Sequence, residues 1–176
     1  MDQYVIRRCA EADIPAAGAF YDRVVWDLTT HINYPKWMYR EYPSEASARA
    51  MTEAGAQYVC MDRGEVIGAF VLNEDPQGSY EKGHWRQTLE PGTFLVCHAL
   101  AVAPERKGQG IGRLMVEYCL ALAKEQGYRA LRLDIVPGNT PAQRLYESCG
   151  FREVETLDLD RGYEQIPLFT LYEYNF

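Results

Sequence analysis

The segment Thr93–Ala103 is the feature of this 176-residue sequence that most constrains its fold. It reads TFLVCHALAVA, with apolar residues at both odd and even positions. Successive side chains of a strand point to opposite faces of a sheet, so a strand of this composition is apolar on both faces. Such strands are buried on both sides. The segment is therefore predicted to be a central strand of the sheet.

A glycine-rich loop follows this strand. Lys107–Arg113 reads KGQGIGR, and a long helix predicted over Gln109–Gln126 begins within it. Three glycines in five residues let the backbone approach a ligand closely, and a helix start adds unpaired N–H groups and a partial positive charge. Arg106, Lys107 and Arg113 add three formal charges. The loop is predicted to bind an anion, most readily a phosphate.

Two other phosphate-binding patterns fit this loop less well. The Walker pattern GxxxxGK[ST] does not occur in the sequence. The dinucleotide pattern GxGxxG matches Gly108 and Gly110, but Arg113 stands where the third glycine lets helix and strand pack closely. A dehydrogenase-type site is therefore the weaker hypothesis. A flexible start of a helix without a ligand is the plainest alternative, although glycine is costly near a helix and three need a reason.

The pattern along the rest of the chain predicts an α/β fold in one domain, residues 1–176. A mixed central sheet of about seven strands is expected, flanked by about four helices. Besides Thr93–Ala103, the predicted strands are Tyr4–Arg8, Gln57–Asp62, Glu65–Leu72, Ala130–Val136, Phe151–Leu159 and Pro167–Tyr174. Besides Gln109–Gln126, helices are predicted over Ala12–Thr30, from Ser44, as N-cap, to Gly55, and from Thr140, as N-cap, to Gly150. Arg63-Gly64, between two of the predicted strands, indicates a hairpin turn.

Composition narrows the classes of partner. There are 18 basic and 25 acidic residues, a formal charge of −7, which argues against non-specific nucleic-acid binding. The first residues carry no apolar run typical of a secretory signal, and the longest apolar stretch is about half a membrane helix. The five cysteines form no CxxC pair and the three histidines are scattered. We therefore expect a cytoplasmic protein with no metal, no membrane and no nucleic-acid partner.

Two motifs together resemble the GNAT superfamily of N-acetyltransferases. The first is a strand, then R/Q-x-x-G-x-G/A, then a helix, with Lys107 here at the first position. The second is N-x-x-A-x-x-L-Y-x-x-x-G-F, about 30 residues further on. It is formed by Asn139, Ala142, Leu145, Tyr146, Gly150 and Phe151. The match is strong over Phe94–Phe151, and the preceding element order fits the same fold more weakly.

The resemblance implies acetyl-CoA as the acyl donor. In the family the glycine loop binds the cofactor's pyrophosphate, and the end of the central strand pairs with the pantetheine arm through its backbone. A residue at the position of Asn139 holds the arm from the next strand. The implied cofactor-binding residues are Leu100, Ala101, Val102, Lys107, Gly108, Gln109, Gly110, Gly112, Arg113, Asn139 and Ala142. For Asn139, a turn residue beside a helix is the alternative interpretation.

The resemblance also implies that Tyr146 is the general acid. A phenol with a pKa of about 10 can protonate a leaving thiolate, although Tyr146 also fits a simple core position. The attacking amine must lose a proton, and the family has no fixed base. His98, with an ordinary pKa of about 6.5, is our candidate base, set against a structural core histidine. Asp134 is a second candidate.

The acceptor is less defined by the sequence. Aromatic residues near the first helices and last strands are candidates to hold a cationic or planar acceptor, or only to cover the sheet: Trp26, Tyr34, Trp37, Tyr39, Tyr42, Tyr163, Phe169 and Tyr172. The predicted function is transfer of an acetyl group to a primary amine of a small molecule or peptide. The alternative is a non-catalytic acyl-CoA sensor. Exposed apolar final strands would permit a homodimer.

Overall fold

The structure, a computed structural model, describes residues 4–176. In that range the chain forms seven strands and four α-helices. The strands are β1 Val5–Arg8, β2 Gln57–Asp62, β3 Glu65–Asn73, β4 Phe94–Val102, β5 Ala130–Ile135, β6 Arg152–Leu157 and β7 Phe169–Asn175. The helices are α1 Ile14–Thr30, α2 Glu45–Glu53, α3 Ile111–Glu125 and α4 Thr140–Ser148.

The strands form a mixed sheet in the order β1-β2-β3-β4-β5-β7-β6. The pair β4–β5 is parallel, whereas β1–β2, β2–β3, β5–β7 and β6–β7 are antiparallel. The strand predicted to be central, β4, is fourth of the seven. The predicted α/β class, with its mixed sheet and four helices, is confirmed.

The chain divides into two compact units, each with its own apolar core. Residues 4–33, 37–72 and 99–118 form the first unit, whose core packs α1 residues such as Phe20 against Val59 and Ala69 of the sheet. Residues 34–36, 73–98 and 119–176 form the second, with a core that includes Phe94 and Leu171. A single domain over 1–176 stays a prediction, and residues 1–3 lie outside the described residues.

Local sequence explains several boundaries. The predicted hairpin turn at Arg63-Gly64 has positive φ at both residues, 50° and 86°, as a type I′ turn requires. Ser44 caps α2 as predicted, because its hydroxyl accepts from the backbone N–H of Ser47. The first helix was expected from Ala12. It starts later, at Ile14, because a 3₁₀ turn occupies Glu11–Asp13.

The expectation that the final strands are exposed and apolar is wrong for β7. This strand lies between β5 and β6 in the sheet, and its residues Phe169–Glu173 are buried. The last strand of the sheet, β6, is mostly polar and carries exposed charged residues. A homodimer stays a prediction.

A kink interrupts β4 at Ala99, whose φ of 49° lies in the left-handed region that a residue with a Cβ rarely adopts. The Tyr21 hydroxyl, on α1, donates to the Ala99 carbonyl at 3.1 Å and accepts from the Gln57 side-chain amide at 3.2 Å. Tyr21 and Gln57 are buried. This buried hydrogen-bond pair therefore stabilises the kink just before Leu100.

We expect Tyr21→Phe to lower the free energy of unfolding by about 1–3 kcal/mol, because it removes the donor to the part-buried Ala99 carbonyl and one of three acceptors of the Gln57 amide. Urea denaturation measures the loss. Tyr163→Phe is the matched control, since Tyr163 is 57% exposed. Equal stability of the Tyr21 variant and the wild type would contradict this role.

Candidate functional site

The glycine loop lies in the first unit and leads directly into α3. Gly108 and Gly110 have φ values of 78° and 79°, and nothing lies within 4 Å of a Cβ built on either residue. Glycine is needed at both positions for backbone conformation rather than for space. Helix α3 begins at Ile111, two residues later than predicted, and Gly112 lies in its first turn.

The start of α3 presents several backbone donors. The Gly110 carbonyl accepts from the N–H of Leu114 at 3.0 Å, which makes Gly110 the N-cap. The N–H groups from Gly110 to Gly112 precede this first helical bond and point away from the helix. Donors grouped at the positive end of a helix dipole form a site for an anion.

The three cations of the loop differ in their contacts. Arg106 pairs with Asp62 at 2.9 Å, and the Asp62 side chain is only 7% exposed. Arg106 therefore anchors the loop to the end of β2. The exposed Lys107 ammonium pairs with Asp27 of α1 at 2.6 Å, and Arg113 lies 3.8 Å from Glu117 one turn further along α3. The formal charge of the loop is therefore partly offset by carboxylates.

The end of β4 also belongs to the first unit. Ala101 is buried in the core of that unit, while Leu100 and Val102 are half-buried. Within the described chain, the parallel pairing of β4 with β5 covers Phe94–Val96. The backbone of Leu100–Val102 is therefore not used by that parallel ladder.

Helix α4, in the second unit, carries the second motif. Asn139 is its N-cap: the side-chain oxygen accepts from the N–H of Ala142 at 3.3 Å. The prediction that Thr140 is the cap is wrong, because Thr140 and Pro141 already have helical positions. This contact supports the interpretation of Asn139 as a turn residue, yet it uses only the oxygen of the amide. In residues 4–176 no partner is found for the Asn139 amide nitrogen.

Tyr146 lies on the buried face of α4. Its ring packs edge-on against Phe151 at a centroid distance of 5.5 Å, and 7% of the residue is exposed. No hydrogen bond to its hydroxyl is found among the described residues. Burial raises the pKa of Tyr146 well above 10, and the nearby thiols Cys97 and Cys119 act in the same direction. The phenol therefore keeps its proton at neutral pH.

His98 lies on β4 and is half-buried. It is the last residue of this strand that belongs to the second unit. Its Nε2 lies 2.7 Å from the carbonyl oxygen of Asp75. Because a carbonyl can only accept, Nε2 carries the proton of the neutral ring and Nδ1 is the basic nitrogen. Burial lowers the pKa of His98 below its usual 6.5, partly opposed by Asp134. The imidazole is therefore neutral at pH 7.

Asp134, the second candidate base, forms an ion pair. Each of its carboxylate oxygens accepts from Arg161 at 2.8 Å, and one also accepts from the Tyr80 hydroxyl at 2.7 Å. Both carboxylate oxygens are therefore already held by donors of the protein. Arg161 and Tyr80 were not singled out from the sequence, because both reach Asp134 from distant loops without a motif.

The segment between β6 and β7 forms a cavity of about 210 Å³. Its lining combines acidic, basic and apolar groups: Asp158, Arg161, Gly162, Tyr163, Glu164, Ile166, Pro167 and Phe169. Two of the aromatic acceptor candidates, Tyr163 and Phe169, lie here. Tyr172 is a core residue of β7, 1% exposed.

The aromatic candidates near α1 have different surroundings. Trp26 and Tyr39 are exposed and lie 5.3 Å apart between ring centroids. Tyr42 is also exposed, whereas Trp37 packs against the core of the first unit. Tyr34 belongs to the second unit and is half-buried. Trp26 and Tyr39 therefore form an aromatic pair on the surface of the first unit.

Two features are absent from residues 4–176. No group of three or more His, Cys, Asp or Glu side chains is arranged to hold a metal ion there. No helix in the same range is long and apolar enough to cross a membrane.

Comparison with known proteins identifies the family. The model of the acetyltransferase (GNAT) family matches residues 22–151, about three-quarters of the chain. The chain therefore belongs to the GNAT family of acetyltransferases, as its two motifs predict.

Curated relatives and solved structures agree with this. The chain is 27% identical over 160 residues to phosphinothricin N-acetyltransferase from Alcaligenes faecalis, covering 86% of this chain and 72% of that one. It is 32% identical over 111 residues to N-alpha-acetyltransferase 40 from Saccharomyces cerevisiae, covering 57% of this chain but only 38% of the yeast protein. A putative acetyltransferase from Salmonella typhimurium, solved with its cofactor acetyl-CoA, shares the fold with a TM-score of 0.70 and 18% identity. That match covers 99% of this chain and 94% of that one.

We expect Arg106→Ala to lower the free energy of unfolding by about 2–3 kcal/mol, because it leaves the buried Asp62 carboxylate without its cation. Lys107→Ala is the control from the next position. Its ammonium is 62% exposed, so the loss should stay below about 1 kcal/mol. Chemical denaturation of both variants measures the difference. Equal losses would contradict the anchoring role of Arg106.

Proposed function

We propose that the protein is an acetyl-CoA-dependent N-acyltransferase that moves an acetyl group to a primary amine by direct attack. The observation that carries this proposal is the loop Lys107–Arg113, where two left-handed glycines lead into the N-terminus of α3. A small molecule and a peptide both remain candidates for the acceptor, since the relatives include phosphinothricin N-acetyltransferase and N-alpha-acetyltransferase 40.

The residues of the loop fit a pyrophosphate. The space where side chains of Gly108 and Gly110 would stand is open, so a phosphate can approach the backbone. The N–H groups of Gly110, Ile111 and Gly112 supply donors at the positive end of the helix dipole. Lys107, Arg113 and the backbone of Gln109 complete the proposed pyrophosphate site.

The pantetheine arm requires amide partners further along the site. We assign this role to the backbone of Leu100, Ala101 and Val102, which is available for an added strand. The Asn139 side chain and the neighbouring Ala142 stay predicted contacts of the pantetheine arm. The cap bond to Ala142 fixes the Asn139 side chain in one rotamer.

The cofactor supplies an acetyl group activated as a thioester. Tyr146 holds a proton on its phenol oxygen because burial raises its pKa. In the proposed step the amine nitrogen bonds to the acetyl carbon, the carbon–sulfur bond breaks, and the sulfur takes the Tyr146 proton. Among residues 4–176 no acceptor competes for this hydroxyl, which supports its use as the acid.

His98 is the proposed base. Its Nδ1 carries a lone pair in the neutral ring, because the Asp75 carbonyl keeps the proton on Nε2. The lowered pKa keeps Nδ1 unprotonated at pH 7, so it accepts the proton that the amine loses. A more basic histidine would be partly protonated there and unable to do so.

The acceptor site is proposed at the cavity between β6 and β7. Asp158 and Glu164 contribute negative charge to its lining, and Phe169 and Tyr163 contribute aromatic surface. This combination suits an amine that enters as a cation. The cytoplasm stays the proposed compartment, supported by five cysteines that are all free thiols.

Gly110→Ala should weaken acetyl-CoA binding, because a residue with a Cβ shifts this turn away from φ 79°. We expect a loss of affinity of about tenfold or more, which corresponds to one charge-assisted hydrogen bond. Gly127→Ala is the matched control: Gly127 has φ 81° and an equally open surrounding, but it follows the other end of α3. Both variants should lose about 1–2 kcal/mol of stability. Calorimetric titration separates the two effects, and equal affinities would refute the loop as the phosphate site.

Tyr146→Phe should lower kcat roughly 100-fold while acetyl-CoA still binds, because the leaving sulfur loses its proton donor. Thiol release from acetyl-CoA with a panel of amines measures the rate. Tyr174→Phe is the control, since Tyr174 packs on the same Phe151 ring and should keep full activity. Unchanged turnover would remove Tyr146 from the chemistry. Binding without turnover on any amine would instead favour the acyl-CoA sensor.

A further inference from the structure

Arg161 makes an unusual set of contacts for a residue in a connecting segment. Its guanidinium pairs with both oxygens of Asp134 on β5 at 2.8 Å each, and its side chain is 12% exposed. It also lies over the Phe169 ring, 4.4 Å from the centroid. The pairing compensates the charge of Asp134, whose side chain is only 9% exposed, and it leaves further guanidinium donors for other partners.

The remaining donors of Arg161 bind the segment that follows β3. Its Nε donates to the Gln77 carbonyl at 2.7 Å and its Nη2 to the Pro76 carbonyl at 3.0 Å. The carbonyl of the preceding residue, Asp75, accepts from Nε2 of His98. Arg161 thus connects Asp134 on β5 to the peptide group that orients the imidazole.

We propose that Arg161 is a positioning residue for His98: by holding the carbonyls of residues 75–77 it fixes the imidazole in the Nε2–H tautomer and directs a basic Nδ1 toward the amine. The use of Nδ1 as the base rests on the proposed function. The tautomer itself does not, and it can be measured in the protein without any substrate.

Three charged groups face His98 from the elements around it. Asp75 lies on the segment after β3, Asp134 lies on β5, and Arg161 lies between β6 and β7. Asp134 and the Asp75 contacts raise the pKa of His98, whereas Arg161 lowers it, and burial lowers it most. Loss of Arg161 removes one lowering charge and frees Asp134, so the pKa should rise. Loss of Asp134 should lower it.

The test is nitrogen NMR of histidine-labelled protein across pH. In the wild type we expect a single Nε2–H tautomer for His98 above its pKa. Arg161→Gln should give a mixture of tautomers and a higher pKa. Asp134→Asn should keep the single tautomer, because Arg161 still reaches Pro76 and Gln77, but with a lower pKa. His98→Gln identifies the resonance.

Two further variants serve as controls for this experiment. Arg161→Lys keeps the charge but loses the fork, so it should mix the tautomers with little change in pKa. It remains informative if Arg161→Gln does not fold. Arg152→Gln, an exposed arginine on β6, should leave His98 unchanged. A single Nε2–H tautomer in both Arg161 variants would overturn the proposal.

Kinetics then separate this inference from the proposed function. With an accepted amine, Arg161→Lys should lower kcat roughly 10- to 100-fold through misplacement of the base, while KM for acetyl-CoA stays the same. In Arg161→Gln the acidic limb of the pH–rate profile should move to higher pH. Tautomer changes with no acetylation of any amine would refute the proposed function and leave the positioning role standing. Full activity in variants with mixed tautomers would refute the positioning role in catalysis.

Discussion

The hydrogen bond from the Tyr21 hydroxyl to the Ala99 carbonyl is the contact on which the arrangement of β4 depends. A left-handed alanine inside a strand is strained, and it persists only where neighbouring groups hold it. Tyr21 does so from a helix that is itself fixed by the apolar core of the first unit. The kink comes just before Leu100, so a single buried phenol holds the backbone where the strand end proposed to bind the cofactor arm begins.

The parts of the fold that depend on local chemistry could be predicted from sequence. The apolar composition of β4, the positive-φ turn at Arg63-Gly64 and the glycine loop all reflect constraints that act within a few residues. The cap of α4 shows the limit of this reasoning. Asn139, Thr140 and Pro141 offer several N-terminal signals in a row, and only the path of the backbone decides that Asn139 is the cap.

The contacts around the candidate bases and the glycine loop are long-range, so they could not be predicted from the sequence. His98 was a candidate because of its residue type, but its tautomer depends on a carbonyl 23 residues earlier. Asp134 was a candidate base until Arg161, 27 residues later, proved to pair with both of its oxygens. The positive charge of the loop was likewise counted without Asp62 and Asp27, whose positions follow from tertiary structure alone.

The open space around Gly108 and Gly110 has a consequence for the chirality of the site. Because no atom lies within 4 Å of a built Cβ, what excludes an L-residue at φ near 79° is its handedness and not its size. A D-alanine, introduced at Gly110 by chemical ligation, prefers this half of conformational space. Its methyl group would also restrict the unfolded chain, which stabilises the folded form. Ribosomal synthesis incorporates L-residues and glycine but no D-residues. Achiral glycine therefore gives this loop its shape, at an entropic cost.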